Sequence, residues 1–267
     1  LRSKQEHDLS RTIFEQKRFL ACPPFRYIAV SSAEGHLFEQ SPFMLGYGTP
    51  IVLANPIDLS LFSPERAADT PLPFTREAGR YYLTIVAARL DEAVKGPHLL
   101  KELARQLRLR HPQLAERVTL LLVGSIRQPG YLDDLALPHI ALGSIRDRAQ
   151  LASIYASSDA LLSTSIYETF GQTLVEALSV GTPALSFRCS GPEDIIIDGV
   201  NGYLIPAFDT ETYADRLAQL LDREPCAEGA FSPKTCRESA LRFGAPAIAT
   251  RLVKLYHSAL GSTPSVH

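Results

Sequence analysis

The sequence predicts an α/β fold in which helices cover both faces of a parallel sheet. From Tyr81 onward, short apolar runs alternate with segments whose leucines recur at helical spacing. The run at residues 118–124 has almost no polar alternation, which is typical of a strand buried on both faces. Turn signals follow at Gly124, Gly143 and Gly181. Because parallel strands need crossover connections, this alternation favours a doubly wound sheet.

The elements of this sheet can be assigned in chain order. The predicted strands are residues 85–89, 118–124, 139–143, 159–163 and 183–187. A helix containing Leu151 and Tyr155 precedes the fourth strand, and another opens at Phe170-Gly171. Residues 245–260, which carry apolar side chains at helical spacing, are predicted as the last helix.

The first part of the chain contains one strand-helix-strand unit. Its predicted elements are a helix through Phe14 and Phe19, a strand at 27–30, a short helix from Ser32 and a strand at 51–54. One unit of this kind cannot cover both faces of a parallel sheet. Because the chain also begins at Leu1 without a methionine, we expect it to be a fragment whose first domain is truncated.

Composition indicates a globular chain and argues against nucleic-acid binding. The 267 residues are 45% hydrophobic and carry a net charge of −2, so no polyanion footprint is present. The densest basic run, residues 101–117, has leucines at helical spacing and is typical of a solvated helix face. Contact of this run with an anionic membrane surface is the alternative.

Location is predicted from the cysteines and from hydropathy. Four cysteines, at positions 22, 189, 226 and 236, have no paired metal-ligand spacing and suit reduced thiols. No apolar stretch reaches the roughly 20 residues of a membrane span. We therefore expect a cytoplasmic protein, with contact at the inner face of the membrane left open.

Two glutamates flank a predicted helix start in the segment 163–180. Glu168 and Glu176 have seven residues between them, and Phe170-Gly171 opens an apolar helix. The unpaired N–H groups and the dipole of a helix N-terminus favour a diphosphate. A carboxylate beside a diphosphate is better used to accept hydrogen bonds from sugar hydroxyls. The segment therefore predicts a site for a substrate that carries phosphates and hydroxyls.

The other candidate residues also follow predicted strands. Ligands of doubly wound sheets bind beyond the carboxyl ends of the strands. Arg89 ends the first strand and Lys95 follows it, Gly124 ends the second strand, Glu168 follows the fourth and Gly191 follows the fifth. We therefore expect these residues to converge at one edge of the sheet.

The order of these motifs carries a family resemblance. It runs through Arg89, Lys95-Gly96, the strands, the two glutamates, Gly181-Thr182-Pro183, Gly191–Gly199 and Asn201–Leu204. From Leu83 to Leu221 the chain resembles the donor-binding domain of the family-4 retaining glycosyltransferases of GT-B fold. The resemblance implies four parts, which are a remnant of the acceptor-binding domain (1–58), a linker (59–80), a nucleotide-sugar-binding Rossmann-like domain (81–244) and a crossover helix with a tail (245–267).

The resemblance also implies roles for individual residues. The carboxylate of Glu168 would contact the donor sugar, and that of Glu176 would hold the ribose hydroxyls. Arg89 and Lys95 would stabilise the negative charge that develops on a leaving diphosphate. The remaining donor-site candidates are Phe170, Gly171, Gln172, Thr173 and Gly124, with the base held by backbone near Ile145 and Arg146. Transfer would retain the anomeric configuration by front-face attack.

No metal or other cofactor is expected. Arg89, Lys95 and the N–H groups near Gly171 could replace a divalent cation. The pair Asp133-Asp134 lacks a spaced partner for a metal and is predicted as a helix N-terminus instead. Asp194 is predicted to cap the turn at Gly191-Pro192.

Three functions stay open at this point. The first is transfer of a sugar from a nucleotide-diphosphate sugar to a carbohydrate or lipid-linked acceptor, in glycan or cell-surface polysaccharide synthesis. The second is a nucleotide-sugar epimerase of GT-B fold, and the third is a noncatalytic nucleotide-sugar-binding module. We expect this chain to bind the donor without transferring it, and to self-associate through the strands at 27–30 and 51–54.

Overall fold

A computed structural model describes most of the chain up to residue 261. The described residues are 13, 15–16, 26–42, 44, 48–223 and 228–261. Phe14 and Phe19 of the predicted first helix lie outside the described residues, as do Cys22 and Cys226, while the described positions 13 and 15–16 are helical. Cys189 and Cys236 are buried free thiols.

The centre of the fold is a six-stranded parallel sheet. Its strands are β3 (Tyr81–Arg89), β4 (Val118–Ser125), β5 (His139–Gly143), β6 (Ala160–Ser163), β7 (Ala184–Phe187) and β8 (Gly202–Ile205). Their spatial order is β5-β4-β3-β6-β7-β8, so the direction of winding reverses between β3 and β6. Such a reversal opens a crevice at the carboxyl ends of the two strands. The predicted α/β class is confirmed, and β8 extends the predicted set of strands.

Helices pack on both faces of this sheet. They are α3 (Pro97–Arg110), α4 (Pro112–Arg117), α5 (Arg148–Ala156), α6 (Gln172–Ser179), α7 (Thr210–Leu221) and α8 (Pro233–Ala240). On one face, the leucines of α3 and α7 form a buried cluster with β4. On the other, α5, α6 and α8 contribute Tyr155, Leu174 and Cys236 to a second cluster. Burial on both faces explains why β4 is apolar along almost its whole length.

The strand-helix-strand unit lies against the end of the sheet domain. It consists of β1 (Ile28–Ala29), α1 (Ser32–Gln40) and the parallel strand β2 (Ile51–Val52), and α2 (Pro64–Ala68) follows it. The last helix, α9 (Ala245–Leu260), returns to this unit, where Arg251 donates to the carbonyl of Val52 at 3.0 Å. The expected capping of the turn at Gly191 by Asp194 is wrong. Asp194 Oδ2 accepts instead from the N–H of Ser32 at 2.5 Å and so caps α1.

Internal ion pairs engage the basic run 101–117. Arg105 pairs with Glu102 at 2.6 Å, and Arg110 pairs with Asp215 at 2.6 Å. Arg108 donates to the carbonyl of Ala136 at 3.0 Å. These contacts support the interpretation of the run as a solvated helix face. Within the part of the chain that the structure describes, no helix is both long and apolar enough to span a bilayer.

Candidate functional site

Lys95 and Glu168 form an ion pair at the point where the winding direction of the sheet reverses. The Nζ atom of Lys95 lies 2.7 Å from Oε2 of Glu168, and the two side chains are 29% and 25% exposed. Lys95 follows β3 and Glu168 follows β6, the two strands that border the crevice. The structure therefore brings together two predicted residues that are far apart in the sequence, at the edge where such sheets bind ligands.

Backbone contacts fix the positions of both side chains. Lys95 ends a short 3-10 turn, and its carbonyl accepts from the hydroxyl of Thr164 at 3.0 Å. Gly96 follows in the left-handed region (φ 64°), where a Cβ would lie 2.0 Å from the carbonyl oxygen of Thr164. Glu168 donates its N–H to the carbonyl of Cys189 at 3.1 Å. Only glycine permits this close approach between the turn after β3 and the segment after β6.

The N-terminus of α6 opens beside the ion pair. Gly171 precedes the helix with φ 107°, and none of the described side chains caps its first N–H groups. Gln172 and Thr173 line a cavity of about 230 Å³ together with Lys95 and Glu168. A cation, a carboxylate and free helix N–H groups around one cavity can bind an anion that also carries hydroxyls.

Glu176 lies one turn into α6 and is almost completely buried. Its Oε1 accepts from Arg148 at 3.0 Å, and its Oε2 accepts from the hydroxyl of Tyr155 at 3.0 Å. Burial raises the pKa of Glu176 above its usual value, while the Tyr155 hydrogen bond and the charge of Arg148 act in the opposite direction. The carboxylate is therefore held by two donors in a poorly solvated position.

Other predicted site residues lie outside the cavity. Phe170 is 3% exposed and packs edge-on against Phe243 in the core, so its side chain is structural. Gly124 lies inside β4 rather than in a loop, and a Cβ there would be 2.0 Å from the carbonyl oxygen of Ala87. Its absence of a side chain lets β3 and β4 approach each other.

Arg89 points to a neighbouring carboxylate. Its Nε lies 3.3 Å from Oδ1 of Asp91, and neither atom makes a hydrogen bond to any described residue. Ile145 packs partly buried beside the cluster that contains Leu121 and Val123, while Arg146 is exposed. The structure thus brings Lys95, Glu168, Gln172 and Thr173 together but leaves Arg89, Ile145 and Arg146 apart from them.

Sequence reasoning missed Arg148 and the hydroxyl of Tyr155 as partners of Glu176. They lie seven residues apart on α5, which places them on the same face two turns apart. This spacing was a detectable signal, but nothing in it identifies the acceptor on another helix.

The described residues hold no group of three or more His, Cys, Asp or Glu side chains arranged for a metal ion. The expected helix N-terminus at Asp133-Asp134 is wrong, because these residues form a turn in which Asp134 pairs with Lys101.

A family model identifies the chain. The model described as "Glycosyl transferases group 1" matches residues 73–235, which contain every residue of the site. The chain belongs to this family. A curated relative named D-inositol 3-phosphate glycosyltransferase, from Corynebacterium urealyticum, is 31% identical over 62% of the chain and 41% of the relative. Another of that name, from Arthrobacter sp., is 29% identical over 76% and 49%. The chain spans about half the length of the curated relatives it matches.

Solved structures show the same fold. Sucrose-phosphate synthase from Thermosynechococcus elongatus superimposes with a TM-score of 0.73 at 23% identity, over 98% of this chain and 65% of that one. The Anabaena protein HepE, in complex with UDP and glucose, superimposes with a TM-score of 0.71 at 21% identity, over 96% and 69%. The predicted GT-B architecture is therefore confirmed.

Proposed function

We propose that this chain is the donor-binding part of a retaining glycosyltransferase. It takes a nucleoside-diphosphate sugar and serves the synthesis of a glycan or cell-surface polysaccharide in the cytoplasm. The observation that carries this proposal is the Lys95–Glu168 pair at the β3/β6 reversal, beside the uncapped start of α6. A diphosphate and a sugar need a cation and a hydroxyl acceptor at one place, and this pair supplies both.

In the proposed mechanism, the groups that contact the diphosphate supply most of the catalysis. When the anomeric bond breaks, negative charge grows on the departing diphosphate, so fixed cations and N–H dipoles lower the barrier. Lys95 lines the cavity and the start of α6 has no side-chain cap among the described residues, which supports this role for the lysine and for the first N–H groups of the helix. Arg89 would join them by leaving Asp91, from which it is separated by 3.3 Å without a hydrogen bond. This set works without a divalent metal.

The two glutamates have separate tasks in the proposal. Glu168, which lines the cavity, accepts hydrogen bonds from the donor sugar. Glu176, inside the first turns of α6, accepts from the ribose hydroxyls. Retention follows from front-face attack, in which the leaving phosphate takes the proton of the acceptor. The base is bound by backbone groups near Ile145 and Arg146.

The relatives support the donor chemistry of the proposal. The family match covers residues 73–235, and the curated relatives are named for transfer of a sugar to D-inositol 3-phosphate. For this chain we propose a carbohydrate or lipid-linked acceptor. Because HepE was solved with UDP, UDP is the first nucleotide to test.

A thermal-shift panel with UDP, GDP, ADP and their common sugars tests the proposal. A ligand that binds the native state must raise the melting temperature. Lys95→Ala should weaken the nucleoside diphosphate at least tenfold, about 1.4 kcal/mol, and EDTA should have no effect. Lys101→Ala is the matched control, because Lys101 is a half-buried lysine that pairs with Asp134 outside the cavity. Unchanged affinity in Lys95→Ala, or strict magnesium dependence, would refute the proposed site.

A transfer assay tests the division of labour between the domains. The chain alone should bind the donor but not glycosylate an acceptor, because it spans only about half the length of the curated relatives it matches. Domain closure is what brings the acceptor to the donor and excludes water. Robust acceptor glycosylation by this chain alone would contradict the two-domain account.

A further inference from the structure

Two donors on one face of α5 hold the carboxylate of Glu176. The hydroxyl of Tyr155 donates to Oε2 at 3.0 Å, and Nη2 of Arg148 donates to Oε1 at 3.0 Å. Each oxygen therefore has one donor among the described residues. An ionised carboxylate offers about four lone-pair sites, so one site on each oxygen is left for another donor. Two such sites match the two neighbouring hydroxyls of a ribose.

Tyr155 is suited to hold a carboxylate. It is completely buried, and burial raises the pKa of its phenol well above the usual value, so the hydroxyl keeps its proton and donates. Arg148 differs, because its side chain is 54% exposed. A buried donor with few rotamers fixes an acceptor more firmly than an exposed, flexible one does.

Phe62, in the segment between the two units, supports both donors. Its ring lies 6.3 Å from the ring of Tyr155, centroid to centroid, and the Arg148 guanidinium lies 5.1 Å above it. Phe62 is itself completely buried. Arg237 ties this segment to α6, because it donates to the carbonyl of Phe62 at 3.1 Å and to that of Ser179. The linker segment and the Glu176 carboxylate are thus parts of one packed group.

We propose that Tyr155 is a positioning residue that aims the Glu176 carboxylate at the ribose, with Phe62 holding Tyr155 in place. The inference rests on the proposed function, since it assigns the ribose to Glu176. Without the phenol hydroxyl, Oε2 has no donor among the described residues and the carboxylate turns toward Arg148. The ribose then loses its aligned acceptor, while the diphosphate contacts at Lys95 are unaffected.

The direct test measures how strongly the Tyr155→Phe variant prefers a ribonucleotide over its 2′-deoxy counterpart. UDP, ADP and GDP are titrated by calorimetry, each beside its 2′-deoxy counterpart and beside inorganic pyrophosphate. In the unmodified chain, the nucleotide that binds should be preferred over its 2′-deoxy counterpart by tenfold or more. In Tyr155→Phe that preference should fall at least threefold, with pyrophosphate affinity unchanged. Tyr82→Phe is the matched control, because Tyr82 is equally buried but its hydroxyl contacts Glu77 and Thr75.

The pH dependence gives a second readout that a purely structural role would not move. In the described parts of the chain, the titratable and charged groups that face Glu176 are Tyr155 and Arg148. The Tyr155 hydrogen bond lowers the pKa of Glu176, so its removal raises that pKa. The preference for the ribonucleotide requires the ionised carboxylate and should therefore disappear at a higher pH in Tyr155→Phe than in the unmodified chain. Phe62→Leu, which leaves the hydroxyl in place, should show a smaller change in the same direction.

The outcomes separate the inference from the function on which it rests. If none of the three nucleotides binds the unmodified chain, the proposed function fails and the inference fails with it. If the unmodified chain discriminates against the 2′-deoxy ligand and Tyr155→Phe discriminates equally, the positioning role is refuted while the function stands. A parallel loss of pyrophosphate affinity in Tyr155→Phe would show a general packing defect and would also refute it.

Discussion

Replacing Glu168 with Gln should affect nucleoside diphosphates and nucleotide sugars differently. Glu168 holds the ammonium group of Lys95 at 2.7 Å. A diphosphate must compete with this carboxylate for the lysine, and the negative charge of the carboxylate also repels it. Glu168→Gln removes both obstacles while keeping the shape of the side chain. A nucleoside diphosphate should therefore bind more tightly to the variant, and a nucleotide sugar should lose its best hydroxyl acceptor.

The magnitude follows from the geometry of the pair. Two unit charges 2.7 Å apart attract each other by about 1.5 kcal/mol in water. Both side chains are partly solvated, at 29% and 25% exposure, so the net contribution of the pair is at most about 1 kcal/mol. Nucleoside diphosphate affinity should thus rise by up to about fivefold. The preference for the sugar-bearing ligand over the nucleoside diphosphate should fall by roughly tenfold, because a charge-assisted hydrogen bond becomes a neutral one.

Calorimetry on both ligands at low and high salt measures the two effects separately. The gain for the nucleoside diphosphate should shrink as salt rises, because salt screens partly exposed charges. Glu102→Gln is the control, since it removes the same charge from an ion pair with Arg105 outside the cavity. Weaker nucleoside diphosphate binding by Glu168→Gln, or an unchanged preference between the ligands, would refute the assignment of Glu168 to the sugar.

Two further predictions concern stability. Gly124→Ala should destabilise the fold by about 3 kcal/mol or more in chemical denaturation, because its Cβ would lie 2.0 Å from the carbonyl oxygen of Ala87. Gly143→Ala is the control, because its Cβ meets no atom within 4 Å, and it should lower the free energy of unfolding only by the roughly 1 kcal/mol that a positive φ costs. Equal losses of stability in the two variants would contradict the close approach of β3 and β4. Burial raises the pKa of Glu176, so the stability that this carboxyl contributes is present below its unfolded pKa and is lost as pH rises through its folded pKa. Glu176→Gln should therefore gain stability relative to the unmodified chain as pH rises toward neutrality. The variant should also lose nucleotide affinity. A stability difference that does not change with pH would argue against the raised pKa of Glu176.

The sheet could be predicted from the sequence because its evidence is local. Apolar runs and glycine turns specify strands and crossovers segment by segment, and the predicted strand at 118–124 corresponds to β4 with a difference of one residue. The meeting of Lys95 with Glu168 followed from the same reasoning, since the carboxyl ends of neighbouring parallel strands share one edge.

The rest depended on contacts that no local pattern encodes. Arg89 ends β3 and Lys95 follows it, but the carboxylate of Asp91 attracts only Arg89. Phe170 lies beside the site in sequence and yet turns into the core against Phe243. Tyr155 meets Glu176 across two helices. In each case, a side-chain partner decides the orientation, and the sequence does not specify partners of this kind.

A crystal structure of this chain with a bound nucleotide sugar would test the central claim most directly. The account predicts the diphosphate at the carboxyl ends of β3 and β6, within hydrogen-bonding distance of Lys95 Nζ and the first N–H groups of α6, without a metal ion. The sugar should contact Glu168, and the ribose should contact Glu176. A nucleotide sugar bound instead in the cavity of about 630 Å³ lined by Asp159 and Thr182, at the opposite edge of the sheet, would contradict the account.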